Sequence, residues 1–188
     1  MRSVLARVFG GIALLLLTVI GIGLLLPGEW SVEARAVVSV PPDSVYGELS
    51  RVRSWPQWMP WPESGAEFDG PASGPGASFR WDDEVYGSGS FTIQDAVPGE
   101  HVTYRVSVEE DAVVVQGRME LRPVDGGTEI RWTEEGDAGW NPLVAFAALT
   151  QGDRQESQLQ DTLDRLASHL EQVSGAAESE AARDDPDP

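Results

Sequence analysis

Cysteine is missing from all 188 residues, so disulfides, thiolate metal sites and a cysteine nucleophile are excluded. The only imidazoles are His101 and His169, too few for a histidine-rich metal site. Lysine is absent too: all 13 basic residues are arginine, set against 31 Asp and Glu. The resulting net charge of −18 argues against nucleic acid, whose phosphates would be repelled, and against electrostatic docking to anionic lipid. Acid excess without lysine fits a GC-rich genome, a saline habitat, or both; composition does not choose. Nor is there a Ser-x-x-Lys, a Gly-x-Ser-x-Gly, a P-loop or a dinucleotide glycine motif. No cofactor and no metal are expected.

What the chain does have begins with a long apolar run. Val8–Leu26 is 19 residues with nothing more polar than Thr18, and as a helix it would span roughly 28 Å, about one hydrocarbon core. Arg2 and Arg7 precede it and Glu29 and Glu33 follow, which keeps the N-terminus in the cytoplasm. Trp30 stands where an interfacial aromatic would stand. A cleaved signal peptide competes, but Pro27-Gly-Glu-Trp30 is a poor cleavage site and Ala34-Arg-Ala36 lies too far along. A buried core helix is the third reading. The expectation is residues 1–30 as an uncleaved single-pass anchor in the cytoplasmic membrane, with the domain on the extracytoplasmic side.

From Ser31 to Val40 apolar and polar residues alternate as in a half-buried strand. Pro41-Pro42-Asp43 stops it, with Asp43 and Ser44 as the expected cap of a short helix carrying Val45, Leu49 and Val52. A second short helical turn or a loop is expected at Ser54–Trp61, which carries Pro56 and Pro60. Beyond Ala66 the period of two returns: Phe79 and Trp81, Phe91 and Ile93, Val102 to Val108, Val113 to Leu121, then Ile130 and Trp132. Turn signals at Pro98-Gly99, Glu110-Asp111 and Asp125-Gly126-Gly127 divide them into an antiparallel meander. Asn141-Pro142 then opens a helix. Its first half is uncharged and apolar all round to Leu149, and Gln151-Gly152 offers a break. Its second half puts Leu159, Leu163, Leu166, Leu170 and Val173 within an arc of roughly 80°. Ser174–Pro188 lacks an apolar face and is expected as a disordered acidic tail, leaving 31–173 as the folded domain.

Strand, two short helices, about six strands and a long helix form an α+β layout. With Val40-Pro-Pro-Asp-Ser-Val-Tyr46, Trp55-Pro-Gln-Trp-Met-Pro-Trp61, Gly74-Pro-Gly-Ala-Ser-Phe-Arg-Trp81, Gly87-Ser-Gly89 and Gly127-Thr-Glu-Ile-Arg-Trp132, the chain resembles the polyketide cyclase/dehydrase and lipid-transport superfamily, the START-like, SRPBCC or helix-grip proteins. The resemblance covers Val32 to about Val173. It implies a curved antiparallel sheet of about seven strands gripping the C-terminal helix, with an apolar cavity between them. That scaffold serves many roles, so it does not choose an activity.

The residues sharing the apolar parity are the cavity candidates: Phe79, Trp81, Phe91, Ile93, Tyr104, Val106, Val115, Met119, Ile130 and Trp132, with Phe146 and Leu149 from the helix. Ordinary core is the competing reading for each. Gly87, Gly89 and Gly117 either leave volume unfilled or mark bulges. Tyr104, Asp83 and Glu134 are the candidate polar groups, the two carboxylates falling at expected strand ends where solvent competes. His101 follows a turn and is expected exposed; His169 lies beside the leucine stripe. Trp55, Trp58 and Trp61 read either as a core plug or as a pocket rim. Trp140, Leu143, Val144, Phe146 and Leu149 read as a lid over the cavity or as plain core. Three functions stay open: binding or transfer of a hydrophobic small molecule or lipid at the membrane surface, a cyclase- or dehydratase-like enzyme, and a ligand-free interaction or stress module.

Overall fold

The structure, a computed structural model, describes residues 29–60, 66–85, 87–137 and 142–184, with the backbone alone at 137, 142–153 and 177–184. The run Val8–Leu26 and Trp61 and Trp140 lie outside the described residues, and so do the side chains of Leu143, Val144, Phe146 and Leu149. Among the described residues no helix is long and apolar enough to cross a membrane.

The alternating stretches all become strands of one sheet. They are β1 (Glu29–Val38), β2 (Glu67–Asp69), β3 (Ser78–Asp83), β4 (Gly87–Val97), β5 (His101–Val108), β6 (Val113–Val124) and β7 (Gly127–Asp137). Their order is β1-β7-β6-β5-β4-β3-β2, every pair antiparallel, so the first strand returns to lie beside the last. Two short helical pieces follow β1: α1 (Pro42–Leu49) and a 3-10 turn (Val52–Gln57). The long helix α2 (Pro142–Asp184) closes the fold. The α+β helix-grip architecture is therefore present.

Side-chain alternation puts one face of this sheet against α2, and the core forms there. Leu159, Leu163, Leu166 and Leu170 are all buried, as the stripe predicts, but Val173 is 42% exposed because the sheet no longer lies beneath it. Trp55 is fully buried under the grip, its ring 4.5 Å from Phe91 and 5.1 Å from Tyr104. Its indole N–H donates to the Leu49 carbonyl at 3.0 Å, which joins the 3-10 turn to the end of α1. At the opposite corner Thr128 Oγ1 donates to the Val40 carbonyl at 2.6 Å. Gly127 beside it passes so near β1 that a Cβ would meet the Val38 carbonyl oxygen at 1.9 Å.

Three local expectations change. Pro41, not Asp43, occupies the N-cap of α1, and no side chain bonds to the cap. The two prolines preset the extended-to-helical step, leaving Asp43 and Ser44 inside the first turn. The helix α2 runs unbroken through Gln151-Gly152. One glycine costs a helix interior only about 1 kcal/mol, and propagation from an already docked helix is easy. It also continues through Ser174–Asp184, the stretch expected as tail. That stretch has no apolar face, but Ala176-Ala-Glu-Ser-Glu-Ala-Ala-Arg183 is rich in strong helix formers.

The seat of α2 makes a contrast that a melt can read. Leu163→Ala should destabilise the domain by about 2–5 kcal/mol, the usual cost of a fully buried leucine. Val173→Ala, on the same stripe, should change stability by less than about 0.5 kcal/mol. Equal effects in a denaturant titration would show that α2 docks in a different register.

Candidate functional site

Strand register assembles the site before any side chain is considered. Ile93, Tyr104, Gly117, Glu134 and Val32 are successive cross-strand partners on β4, β5, β6, β7 and β1, so they form one row across the concave face. Neighbouring strands are about 4.8 Å apart, so Tyr104 and Glu134, two strands apart, are out of reach for ordinary cross-strand contact. Gly117 between them removes the obstacle. The Tyr104 ring lies across it so closely that a Cβ there would sit 1.9 Å from Cζ. The phenol thereby donates to Glu134 Oε1 at 2.5 Å and accepts the Trp132 indole N–H at 2.8 Å.

The same device recurs twice on this face. Trp81 covers Gly89 and Trp30 covers Gly136, where added Cβ atoms would fall 2.2 and 2.4 Å from the rings. Gly89 and Gly117 therefore seat aromatic rings and leave no volume unfilled. Gly87 is a turn residue at φ +67°, the left-handed region that glycine favours.

Glu134 was expected near a strand end in solvent. It sits inside the sheet instead, because β7 continues to Asp137 and pairs with β1 as far as Glu29. Burial holds its carboxyl above the usual range, and the Tyr104 hydrogen bond only partly opposes this. Tyr104 is pushed well above an ordinary phenol, by burial first and by the neighbouring Glu134 charge second.

In front of this row is a cleft of about 340 Å³ between the sheet and α2. Trp30, Val32, Met59, Val113, Val115, Trp132 and Leu159 supply its apolar walls, and Glu134, Gln155, Gln158 and Thr162 its polar groups. Two hollows of about 520 and 470 Å³ are larger. They are lined largely by side chains of outward parity, such as Ser31, Gln116, Glu120 and Glu135, and lack the apolar walls of a ligand site. Gln155 Oε1 is buried with no hydrogen-bond partner among the described residues, and so is Trp58 Nε1.

Of the sequence candidates, the structure brings Val115, Trp132 and Glu134 to the cleft, with Tyr104 directly behind Glu134. Phe79, Phe91, Ile93, Met119 and Ile130 are packed in the core. Val106 and Trp81 are half-buried against that core, Trp81 stacked on Phe79 at 5.5 Å. Asp83 lies at the β3–β4 turn, where Oδ1 accepts the Val85 N–H at 2.8 Å. Phe146 and Leu149 fall outside the described side chains. His101 is drawn in, its side chain 14% exposed and 2.9 Å from Asp95. His169 is half-buried, 3.4 Å from Glu48 of α1. Among the described residues no three carboxylate or imidazole side chains converge on a metal site.

Trp30, Val32, Met59, Gln155, Gln158 and Thr162 were not among the candidates. A signal existed for two groups of them. Trp30 and Val32 share the inward parity of β1, and Gln155 is one turn before Leu159 on the leucine stripe.

A family model described as polyketide cyclase / dehydrase and lipid transport matches residues 29–171. Among solved structures, a putative uncharacterized protein from Rhizobium leguminosarum aligns with a TM-score of 0.54 at 18% identity, covering 77% of this chain and 95% of that one. Ara h 8.0201 gives 0.55 at 19% identity, covering 76% and 98%. The di-domain ARO/CYC StfQ from the steffimycin biosynthetic pathway gives 0.58 at 14%, covering 80% of this chain and 52% of that one. At such identities the likeness establishes the fold alone. A search of curated proteins finds no match.

Two measurements check this geometry. Gly117→Ala should expel the Tyr104 ring and lower stability by about 2 kcal/mol or more, with Gly117→Ala/Tyr104→Val recovering part of the loss. A double mutant no more stable than Gly117→Ala would show that the ring is not what the glycine accommodates. The second is pH dependence. With its carboxyl raised in the fold, Glu134 binds a proton more tightly when folded than when unfolded. Stability contributed at this site therefore falls as pH rises from the ordinary carboxylate range through the raised value. The stability difference between the native protein and Glu134→Gln should decline across that window, read by urea unfolding at several pH values. A difference that stays flat would place the carboxylate in water.

Proposed function

Since the chain belongs to the polyketide cyclase/dehydrase and lipid transport family, we propose that it binds a hydrophobic small molecule or lipid in the cleft between the sheet and α2. The observation that carries this reading is the cleft itself: seven apolar residues around a single ionisable group, Glu134. We propose further that Val8–Leu26 anchors the chain and holds the domain at the outer face of the cytoplasmic membrane. The position of the cleft supports this. Trp30, one of its walls, is four residues beyond Leu26, so at about 3.5 Å per residue the cleft stays within roughly 14 Å of the end of the apolar run. A ligand leaving the bilayer would have a short path.

A cyclase- or dehydratase-like activity has one observation in its favour, a cleft-lining carboxyl with a raised pKa. The partner geometry weighs against it. Tyr104 gives its only proton to Glu134 and takes Trp132 on its oxygen, so the phenol is committed, and among the described residues no second ionisable group lines the cleft. A ligand-free module is the weaker reading, because Gln155 Oε1 is buried in the cleft wall without a partner.

The test uses the full chain. Carbonate-washed membranes should retain it. Gentle purification and solvent extraction should then yield the same apolar compound in successive preparations by mass spectrometry. Thr162→Trp, which fills the cleft from α2, should melt normally yet carry at least tenfold less of that compound. Equal cargo in both proteins, or none in the native one, would overturn the binding reading, and release by carbonate would overturn the anchor.

A further inference from the structure

The hydrogen bonds behind the cleft have a direction, and that direction specifies the ligand's polar end. An indole N–H can only donate. Trp132 Nε1 donates to the Tyr104 oxygen, and the Tyr104 proton therefore goes on to Glu134 Oε1. The relay ends on the Glu134 carboxyl, which lines the cleft. Of the other polar groups that line it, Thr162 already donates its hydroxyl proton to the Gln158 carbonyl at 2.9 Å, the Gln158 side chain is exposed, and Gln155 Oε1 is an acceptor without a partner among the described residues. Among the described residues no arginine lines the cleft, and the chain as a whole carries a net charge of −18.

We propose that the cleft selects lipophiles with a neutral hydroxyl head group, whose single proton goes to Glu134 or to Gln155, and rejects lipophiles headed by a carboxylate or by an acceptor alone. This rests on the ligand-binding reading above and deepens it. The reasoning is one of complementarity. Two acceptors left facing a ligand without a donor stay unsatisfied, which penalises the wrong head group more than any apolar contact can offset. A carboxylate adds repulsion from Glu134 and brings no proton. A hydroxyl satisfies one acceptor outright, and its own oxygen stays on the open side of the cleft. Glu134 and Gln155 are therefore specificity-determining residues, with Tyr104 and Trp132 holding Glu134 in place.

A head-group series on one ring system tests this: 2-naphthol, 2-methoxynaphthalene, naphthalene-2-carboxylate and 2-naphthylmethylamine, the last cationic at neutral pH. Binding is measured by calorimetry on the full chain in lipid nanodiscs, with empty nanodiscs subtracted. The native protein should bind 2-naphthol about tenfold or more tighter than the methoxy compound, with the carboxylate weakest. Glu134→Gln keeps an oxygen for Tyr104 and turns an amide N–H₂ toward the cleft, so it should narrow or reverse the preference of naphthol over methoxynaphthalene. Gln155→Leu, at a half-buried helix position, should shrink the same preference; it decides the matter if Glu134→Gln fails to melt cooperatively. Equal affinities across the series in all three proteins would overturn the donor selectivity and leave the binding reading standing. Tighter binding of the amine than of naphthol would overturn the neutral head group in favour of a cation. Failure of every probe to bind, together with absence of native cargo, would overturn the binding reading itself.

Discussion

Tyr104 reaches Glu134 only because β6 has no side chain between them, and much of the structure follows from that crossing. Laid over Gly117, the ring becomes the wall between core and cleft. Behind it are Trp55 and Phe91, at 5.1 and 4.9 Å. In front, its hydroxyl is the last polar atom before the cleft. A buried phenol needs partners for both its proton and its oxygen; its own row provides Glu134 and the neighbouring row Trp132. Remove the glycine and the ring must move; move the ring and a carboxylate remains under apolar cover without its donor. Packing and polarity are thus set by one backbone position.

The fold was legible because its signals are periodic. Strands of period two separated by Gly and Pro turns give the sheet, and leucines at steps of four, three and four give the helix that it grips. What periodicity sees is which face a residue is on, not how far the element runs. That is why Glu134 was placed near a strand end, and why α2 was expected to stop where its stripe stops. Its final turns are held by alanine and glutamate propensity, which leaves no stripe. The site was harder to read for a related reason. Parity found the concave face but gave every residue on it equal standing, and five of the candidates turned out to be packed core. Depth along the sheet decides between core and cleft, and depth depends on which strands are neighbours and in which register. The helix side of the cleft was hidden by chemistry: Gln155, Gln158 and Thr162 look like solvent-facing residues until the sheet is seen to end beneath them.

Charge is distributed by face. Glu33 joins Arg131 and Arg35 on the outer surface of β1 and β7, and Glu120 pairs with Arg118 on β6. The two arginines hold the Glu33 carboxyl below its usual range, chiefly Arg131. These pairs are exposed, and exposed pairs contribute little to stability. Their value lies in keeping the outer face soluble.

The tryptophan segment after α1 divides its work between the two readings open to it. Trp55 is a plug, fully buried and surrounded by rings; Met59, four residues on, is part of the cleft wall. Trp58 stands between them, tilted against Trp55 at 4.7 Å and edge-on to Trp132 at 6.1 Å. The consequence is a short cavity. Where a sheet gripping a helix would otherwise leave one long apolar interior, Trp55 fills the middle, and the cleft lies at the end of the sheet bounded by Trp30, Val113 and Glu134. That end is also where the chain enters the domain from its apolar N-terminal run. A plug in the core therefore does more than stabilise: by filling the far half, it confines any guest to the half within a few residues of the proposed anchor, with Glu134 at its inner limit.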